Sequence, residues 1–243
     1  VVGASSGIGE AIARELGRRG SRVALVARRS ERLDEIRAEI DAQAGEQRAL
    51  VFTHDVADVG AVPSLFQEIA TRLGGLELVV YSAGVMPPVA LDEFPTEKDL
   101  GTVQANLSGA IAWLNSAADR FSRARAGTII GISSVAGDRG RVGNPVYNAT
   151  KAALSTYLEA LRNRLARKGV TVLTAKPGYV RTALIDGAPL PRFVPVISPK
   201  RAADQILAAA AAGDRVVYVP GWWRLVMTAV RAIPAPLLER INV

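Results

Sequence analysis

The chain contains no cysteine and one histidine, His54. Without cysteine there is no disulfide, no thiolate metal site and no cysteine nucleophile. A single histidine leaves a histidine-based zinc site or a Ser-His-Asp triad short of parts, and His54 reads as a satisfied loop residue. No metal site is expected. Aromatic residues make up 5% of the 243, so the 30 basic residues are not interleaved with the stacking side chains a nucleic-acid binder would use. They outnumber 23 acidic residues to give a net charge of +7, and are mostly arginines spread over many segments, among them Arg18, Arg19, Arg123, Arg125, Arg164 and Arg167. A solvated basic surface is the reading, with no nucleic-acid partner. Long apolar runs are missing too: none approaches the ~18–20 residues of a membrane span, and no signal peptide is visible. A cytoplasmic setting is the expectation. The chain opens Val1-Val2-Gly3 without a methionine, inside a strand-like run, so a preceding segment is expected.

What is present is a globular composition, 49% hydrophobic and 22% charged. Strand-like runs occur at 22–27, 49–53, 76–82, 128–133, 170–175 and 215–219, with the stub Val1-Val2 as the first. Amphipathic stretches separate them. Val62, Leu65, Phe66, Ile69 and Leu73 recur at helical spacing, as do Leu154, Tyr157, Leu158, Leu161 and Leu165, a helix expected to end at Gly169. Ser198-Pro199 reads as an N-cap followed by proline, opening a helix through Leu207. Strands alternating with helices predict an α/β, Rossmann-type doubly wound, mainly parallel seven-stranded sheet with helices on both faces. With no repeat or linker, residues 1–243 are expected to form one domain.

Gly3-Ala4-Ser5-Ser6-Gly7-Ile8-Gly9 stands between the first strand and a helix expected to run to Arg19. Glycines there permit a tight turn and let a phosphate approach backbone N–H groups at a helix N-terminus. The alternative is a merely structural turn; the strand–loop–helix context favours the phosphate site. The second strand ends Val26-Ala27-Arg28-Arg29. Dinucleotide folds usually place a carboxylate near this point to hold the ribose 2′-hydroxyl. Two guanidiniums instead suit a 2′-phosphate, which favours NADP(H) over NAD(H). The other reading is of surface arginines on a basic protein.

Tyr147 and Lys151 stand four residues apart, one turn of a helix, and Ser134 precedes the tyrosine by thirteen residues. A phenol with its ordinary pKa near ~10 is a poor proton shuttle at neutral pH, and a fixed ammonium nearby favours the phenolate. The spacing points to proton-transfer chemistry, although a Tyr-x-x-x-Lys pair also arises by chance.

With these residues in hand, the chain resembles the short-chain dehydrogenase/reductase family over nearly its whole length. Gly3, Gly7 and Gly9 match the glycine motif, with Val2 in place of its leading threonine. Asp55-Val56 matches the Asp-Val pair that holds the adenine ring, and Ser82-Ala83-Gly84 matches Asn-Ala-Gly with serine for asparagine. Asn106, Ser134, Tyr147 and Lys151 match the catalytic tetrad, the spacing selecting Ser134 over Ser133. Pro177-Gly178 with Val180 and Thr182 matches the segment over the nicotinamide. The resemblance implies that Tyr147 passes a proton to or from a substrate oxygen oriented by Ser134. It implies that Lys151 tunes the tyrosine and contacts the nicotinamide ribose, and that Asn106, on the helix following Thr96, holds a water leading to solvent. It also implies a homodimer or homotetramer.

Residues 183–197, with Gly187, Pro189, Pro191 and Pro195, fall where the family carries a substrate loop. Met86, Val135, Val142, Tyr179 and Phe193 are expected to line an apolar pocket, so a lipophilic carbonyl/alcohol pair is the expected substrate. A 3-oxoacyl chain on a carrier protein is an alternative, and a non-catalytic nucleotide-binding scaffold a weaker one, since all four tetrad positions are intact. In the tail, 222–243, Trp222, Leu225, Val226, Ala229, Val230 and Ile233 form a stripe flanked by Arg224 and Arg231. Packing of that stripe on the body or a partner subunit is favoured over contact with a membrane surface.

Overall fold

The computed structural model describes residues 1–186 and 194–240. Its sheet follows from apolar runs in which successive residues are buried on opposite faces. In β1 (Val23–Ala27), Ala24 and Val26 enter one core while Val23, Leu25 and Ala27 enter another. Strands covered on both sides read as continuous apolar runs, which is why β1 spells VALVA.

β2 (Ala49–Thr53) pairs in parallel with β1, Val23 opposite Ala49. On the other side β3 (Leu78–Tyr81), β4 (Gly127–Ile132), β5 (Val170–Pro177) and β6 (Val216–Val219) follow in order, all parallel. Val2 joins the two halves, bridging Val26 of β1 and Tyr81 of β3, so the expected first strand is present as a single paired residue in the middle of the sheet. The chain thus starts at the centre, winds outward through β1 and β2, and returns to build the other half from β3. Loops leaving Val2 and β3 part company at this reversal, which opens a crevice at the carboxyl ends of the strands.

Helices cover both faces. α1 (Gly7–Arg18), α2 (Ser30–Ala44) and α7 (Pro199–Ala211) pack together on one. α3 (Val62–Leu73), α4 (Thr96–Val103), α5 (Gly109–Ala124) and α6 (Pro145–Leu165) cover the other. Ser198 caps α7 by accepting a hydrogen bond from the Arg201 N–H, as its sequence predicts, and the helix continues past Leu207 to Ala211. α6 stops at Leu165, four residues before the expected Gly169. That glycine instead takes a positive φ of 68° in the turn into β5, where a Cβ would lie 2.3 Å from the Arg125 carbonyl oxygen. Two short helices, α8 (Trp223–Ala232) and α9 (Ala235–Leu238), close the described chain. Among the described residues no helix is long and apolar enough to cross a membrane.

The packing of α6 on β4 is close enough that Gly131 is required: a Cβ there would meet Leu158 Cδ1 at 2.3 Å. Leu158 is fully buried. Leu158→Ala is expected to lower the unfolding free energy by about 2–5 kcal/mol, measured by urea denaturation, through lost burial and a residual cavity.

Candidate active site

Apart from Asn106 on a helical turn and Tyr147 and Lys151 on α6, the sequence-predicted site segments leave the carboxyl ends of parallel strands. Gly3 follows Val2, Arg28 and Arg29 follow β1, Asp55 follows β2, Ser82 follows β3, Ser134 follows β4, and Pro177-Gly178 ends β5. Residues scattered over nearly 180 positions are brought to one rim.

The glycine loop fits a dinucleotide phosphate. Gly3, at φ 85°, lies so near β3 that a Cβ would stand 2.5 Å from the Ala83 nitrogen, and a Cβ on Gly9 would stand 2.2 Å from the Gly3 oxygen. α1 starts at Gly7 behind Ser6, whose side chain makes no capping hydrogen bond. The first N–H groups of a 12-residue helix therefore face the loop without a side-chain acceptor, the arrangement that binds phosphate. Thr182 lies over this point, with its Cγ2 3.0 Å from where a Gly7 Cβ would be. The two arginines take different positions. Arg29 donates to Ser5 Oγ at 3.0 Å and to the Ser5 carbonyl at 3.2 Å, which ties the end of β1 to the glycine loop. Arg28 stays exposed, with Asp55 3.7 Å away across the rim.

α6 and the segment after β4 carry the second half. Lys151 is buried, and its Nζ donates to the Ile132 carbonyl at 3.0 Å. Ser133 Oγ donates to the Lys151 carbonyl at 2.8 Å and shares a 2.8 Å hydrogen bond with Ser155. Ser133 is thus spent as a rivet between β4 and α6, and Ser134 is left at the rim, accepting from the Ala136 N–H and donating to the Pro177 carbonyl. A short turn, Val135–Gly137, lies directly on α6: a Gly137 Cβ would fall 2.6 Å from the Lys151 carbonyl carbon. Sequence reading did not single out Gly137, whose need arises only from this contact.

Asn106 is fully buried in a π-helical turn, Gln104–Ser108, between α4 and α5. Its amide accepts from the Val85 N–H at 2.7 Å and donates to the Val85 carbonyl at 2.9 Å. A Cβ on Gly84 would lie 3.2 Å from Asn106 Oδ1 and 3.5 Å from Lys151 Nζ, so Gly84 is the floor between the two.

Burial raises the Tyr147 phenol above its ordinary pKa, and the Ser134 hydroxyl and the charge of Arg141 oppose that rise. Lys151 Nζ stands 5.7 Å from the tyrosine ring centroid and gives its hydrogen bond to β4. Burial also pulls the Lys151 ammonium from 10.5 down to about 8. Arg141 was not foreseen, since nothing in its local sequence marks it. It is set in place by the loop from Asp138, which Lys176 and Tyr218 hold from the sheet edge, and by contact with Met227 of α8.

α8 roofs this end. Trp223 lies on Gly178 so closely that a Cβ there would overlap the indole, and Trp223, Met227 and Val135 form a buried cluster joined by Tyr179, Val194, Tyr218 and Val230. Of the expected pocket lining, Val135 and Tyr179 share this cluster, Met86 is half-buried and Val142 is exposed. Phe193, Gly187, Pro189 and Pro191 lie outside the described residues. The expected substrate segment is fastened at its ends, where Val180 pairs with Ile197. His54 sits apart at the end of β2, its ring edge on Trp113 at 5.7 Å and its pKa lowered by burial. Its Nε2 has no partner among the described residues, so it is a packed rather than a satisfied histidine.

A short chain dehydrogenase family model matches residues 1–189. An uncharacterized oxidoreductase of Myxococcus xanthus is 34% identical over 242 residues, covering 98% of this chain and 93% of its own length. A Bos taurus 3-oxoacyl-[acyl-carrier-protein] reductase is 32% identical over 236 residues, covering 93% and 98%. Among solved structures, a short-chain dehydrogenase from Sphingobium yanoikuyae in complex with NADPH superposes with a TM-score of 0.83 at 25% identity, over 97% of this chain and 95% of that one. The chain belongs to the short-chain dehydrogenase family, and it is an NAD(P)-dependent oxidoreductase.

The buried lysine carries a pH signature. Between about pH 8 and 10.5 the unfolded chain keeps a proton that the folded chain has released, so this group makes stability rise with pH across that window. Urea midpoints of wild type relative to Lys151→Met are expected to climb from pH 8 to 10.5. A flat difference would show that the ammonium is not desolvated.

Proposed function

We propose that the chain is one dinucleotide-binding oxidoreductase domain that interconverts a lipophilic carbonyl compound and its alcohol with NADP(H). The observation that carries this reading is the convergence, on one rim, of a phosphate-fitting glycine loop with Ser134, Tyr147 and Lys151. When bound, the nicotinamide supplies or accepts the hydride. Tyr147 holds the proton at its phenol oxygen and gives it to the substrate oxygen, or takes it back in the reverse direction. Ser134, its hydroxyl steered by the Ala136 N–H and the Pro177 carbonyl, orients that oxygen. Arg141 and Lys151 place positive charge near the phenol, which favours the phenolate once the proton has left. Asn106, beside Lys151 across Gly84, belongs to the path that restores the proton from solvent. Met86, Val135 and Tyr179 supply apolar surface for the substrate.

NADP(H) preference rests on Arg28 and Arg29, with no carboxylate at the end of β1. Arg28 is the exposed member and is assigned the 2′-phosphate, while Arg29 braces the glycine loop through Ser5. The bovine relative's name supports a second reading, a carrier-bound 3-oxoacyl substrate; turnover of acyl-carrier thioesters but not of free ketones would favour it. A homodimer or homotetramer is part of the proposal.

Tyr147→Phe is expected to lower kcat by about 10²–10⁴-fold on whichever carbonyl a substrate panel identifies, with nucleotide affinity retained. Near wild-type turnover would reject the assignment. Arg28→Ala is expected to reduce kcat/KM for NADPH by about tenfold or more, the worth of a charge-assisted hydrogen bond, and to leave NADH little changed. Arg29→Ala is expected to impair both nucleotides because the loop itself loosens. Steady-state kinetics with the two coenzymes separates these outcomes.

A further inference from the structure

α8 has two apolar faces. The inner one, Trp223 and Met227 with Val230, is buried in the cluster that roofs Ser134's neighbour Val135. The outer one is made of Leu225, 76% exposed, with Val226, Ala229 and Ala232. Trp222 extends it at one end, stacked on Trp223 at 4.6 Å, and the exposed Leu237 of α9 follows at the other. The stripe read from the sequence is therefore mostly the outward face, and the body is packed by residues one position out of phase with it.

Along the flank between the two faces run Arg224 and Arg231, seven residues apart and so on the same side of the helix. With Arg215 and Tyr218 they line a notch of about 560 Å³ beside β6, in which Asp214 is the one carboxylate. Among the described residues none of these three arginines is in a salt bridge. Three guanidiniums around an open notch suit an anion with several acceptor oxygens, as a phosphate has. Four large exposed apolar side chains, Trp222, Leu225, Val226 and Leu237, stand beside it. They are enough for a helix of about 15 Å lying in a lipid interface, buried ~5–10 Å deep with arginines at its edge.

We propose that the outer face of α8 docks on an anionic phospholipid surface, Leu225 and Trp222 entering the acyl boundary while Arg215, Arg224 and Arg231 hold a lipid phosphate. The net charge of +7 adds long-range attraction to such a surface. Because the inner face of the same helix lies on Gly178 and Val135, docking sets the roof of the site against the phase in which a lipophilic substrate dissolves. The docking itself depends on no step of the reaction.

The test is flotation of the full chain with phosphatidylcholine vesicles, with and without phosphatidylglycerol. Wild type is expected to float only with the anionic vesicles. Leu225→Glu, and separately Arg224→Glu with Arg231→Glu, are each expected to weaken binding by about tenfold or more, with turnover of a water-soluble ketone and the melting temperature unchanged. Failure of wild type to float with anionic vesicles overturns the proposal. So does binding that survives Leu225→Glu, which is general attraction to a basic protein. A lower mass for Leu225→Glu in lipid-free sedimentation velocity also overturns it, by assigning the face to a second copy. Loss of ketone turnover by Tyr147→Phe has no bearing on any of these outcomes, so the two readings fail independently.

Discussion

The site depends on how tightly the end of β4 is fastened to α6. Lys151 reaches back to the Ile132 carbonyl, Ser133 reaches forward to the Lys151 carbonyl, and Gly137 lets the intervening turn lie on the same peptide group. These polar contacts are made in a buried setting, where leaving either partner unpaired would cost ~1–3 kcal/mol or more. They fix the distance between the strand end bearing Ser134 and the helix bearing Tyr147. The loop between them is thereby bypassed by direct contacts of strand end and helix.

The same fastening explains why a charged lysine is tolerated at 5% exposure. Its ammonium is only partly compensated by one carbonyl, hence the depression to about 8, and the cost is carried by surrounding apolar packing such as Leu154 and Leu158. Tyr147 responds oppositely, because burial disfavours the charged form of either group. Arg141 then matters more than its place in the sequence implies. It stands on a loop held at the far edge of the sheet, by Asp138 with Lys176 and Tyr218, and touches Met227 of α8. α8 is thereby joined to the ends of β4 and β5, through Trp223 on Gly178 and beside Val135.

The half of the rim that carries the glycine loop is built on a different principle. Gly3 and Gly9 are needed because backbone from the loop and from β3 already occupies the space their Cβ atoms would take, which leaves the N–H groups of α1 uncovered. The arginines divide the remaining work, Arg29 stiffening the loop and Arg28 facing outward beside Asp55. A basic surface of scattered arginines thus contains two positions with definite local partners.

Much of this was legible in the sequence because its causes are local. Apolar runs with turn signals located the strands to within a few residues, and helical spacing located α3 and α6, because side-chain periodicity reports burial directly. The glycine loop, Ser134, Tyr147 and Lys151 were recognisable because close approach and one-turn spacing restrict residue type. Other features were decided only by tertiary structure. α6 ends at Leu165 because the following turn has to reach β5, which no helix signal encodes. Asn106 occupies a π-turn, Gly137 is needed only against Lys151, and Arg141 reaches Met227 only once α8 is packed on the sheet. The tail shows the division most clearly. Its amphipathic character was plain in the sequence, but which face is buried was settled by where Gly178 leaves room for an indole, and that room exists only in the folded sheet.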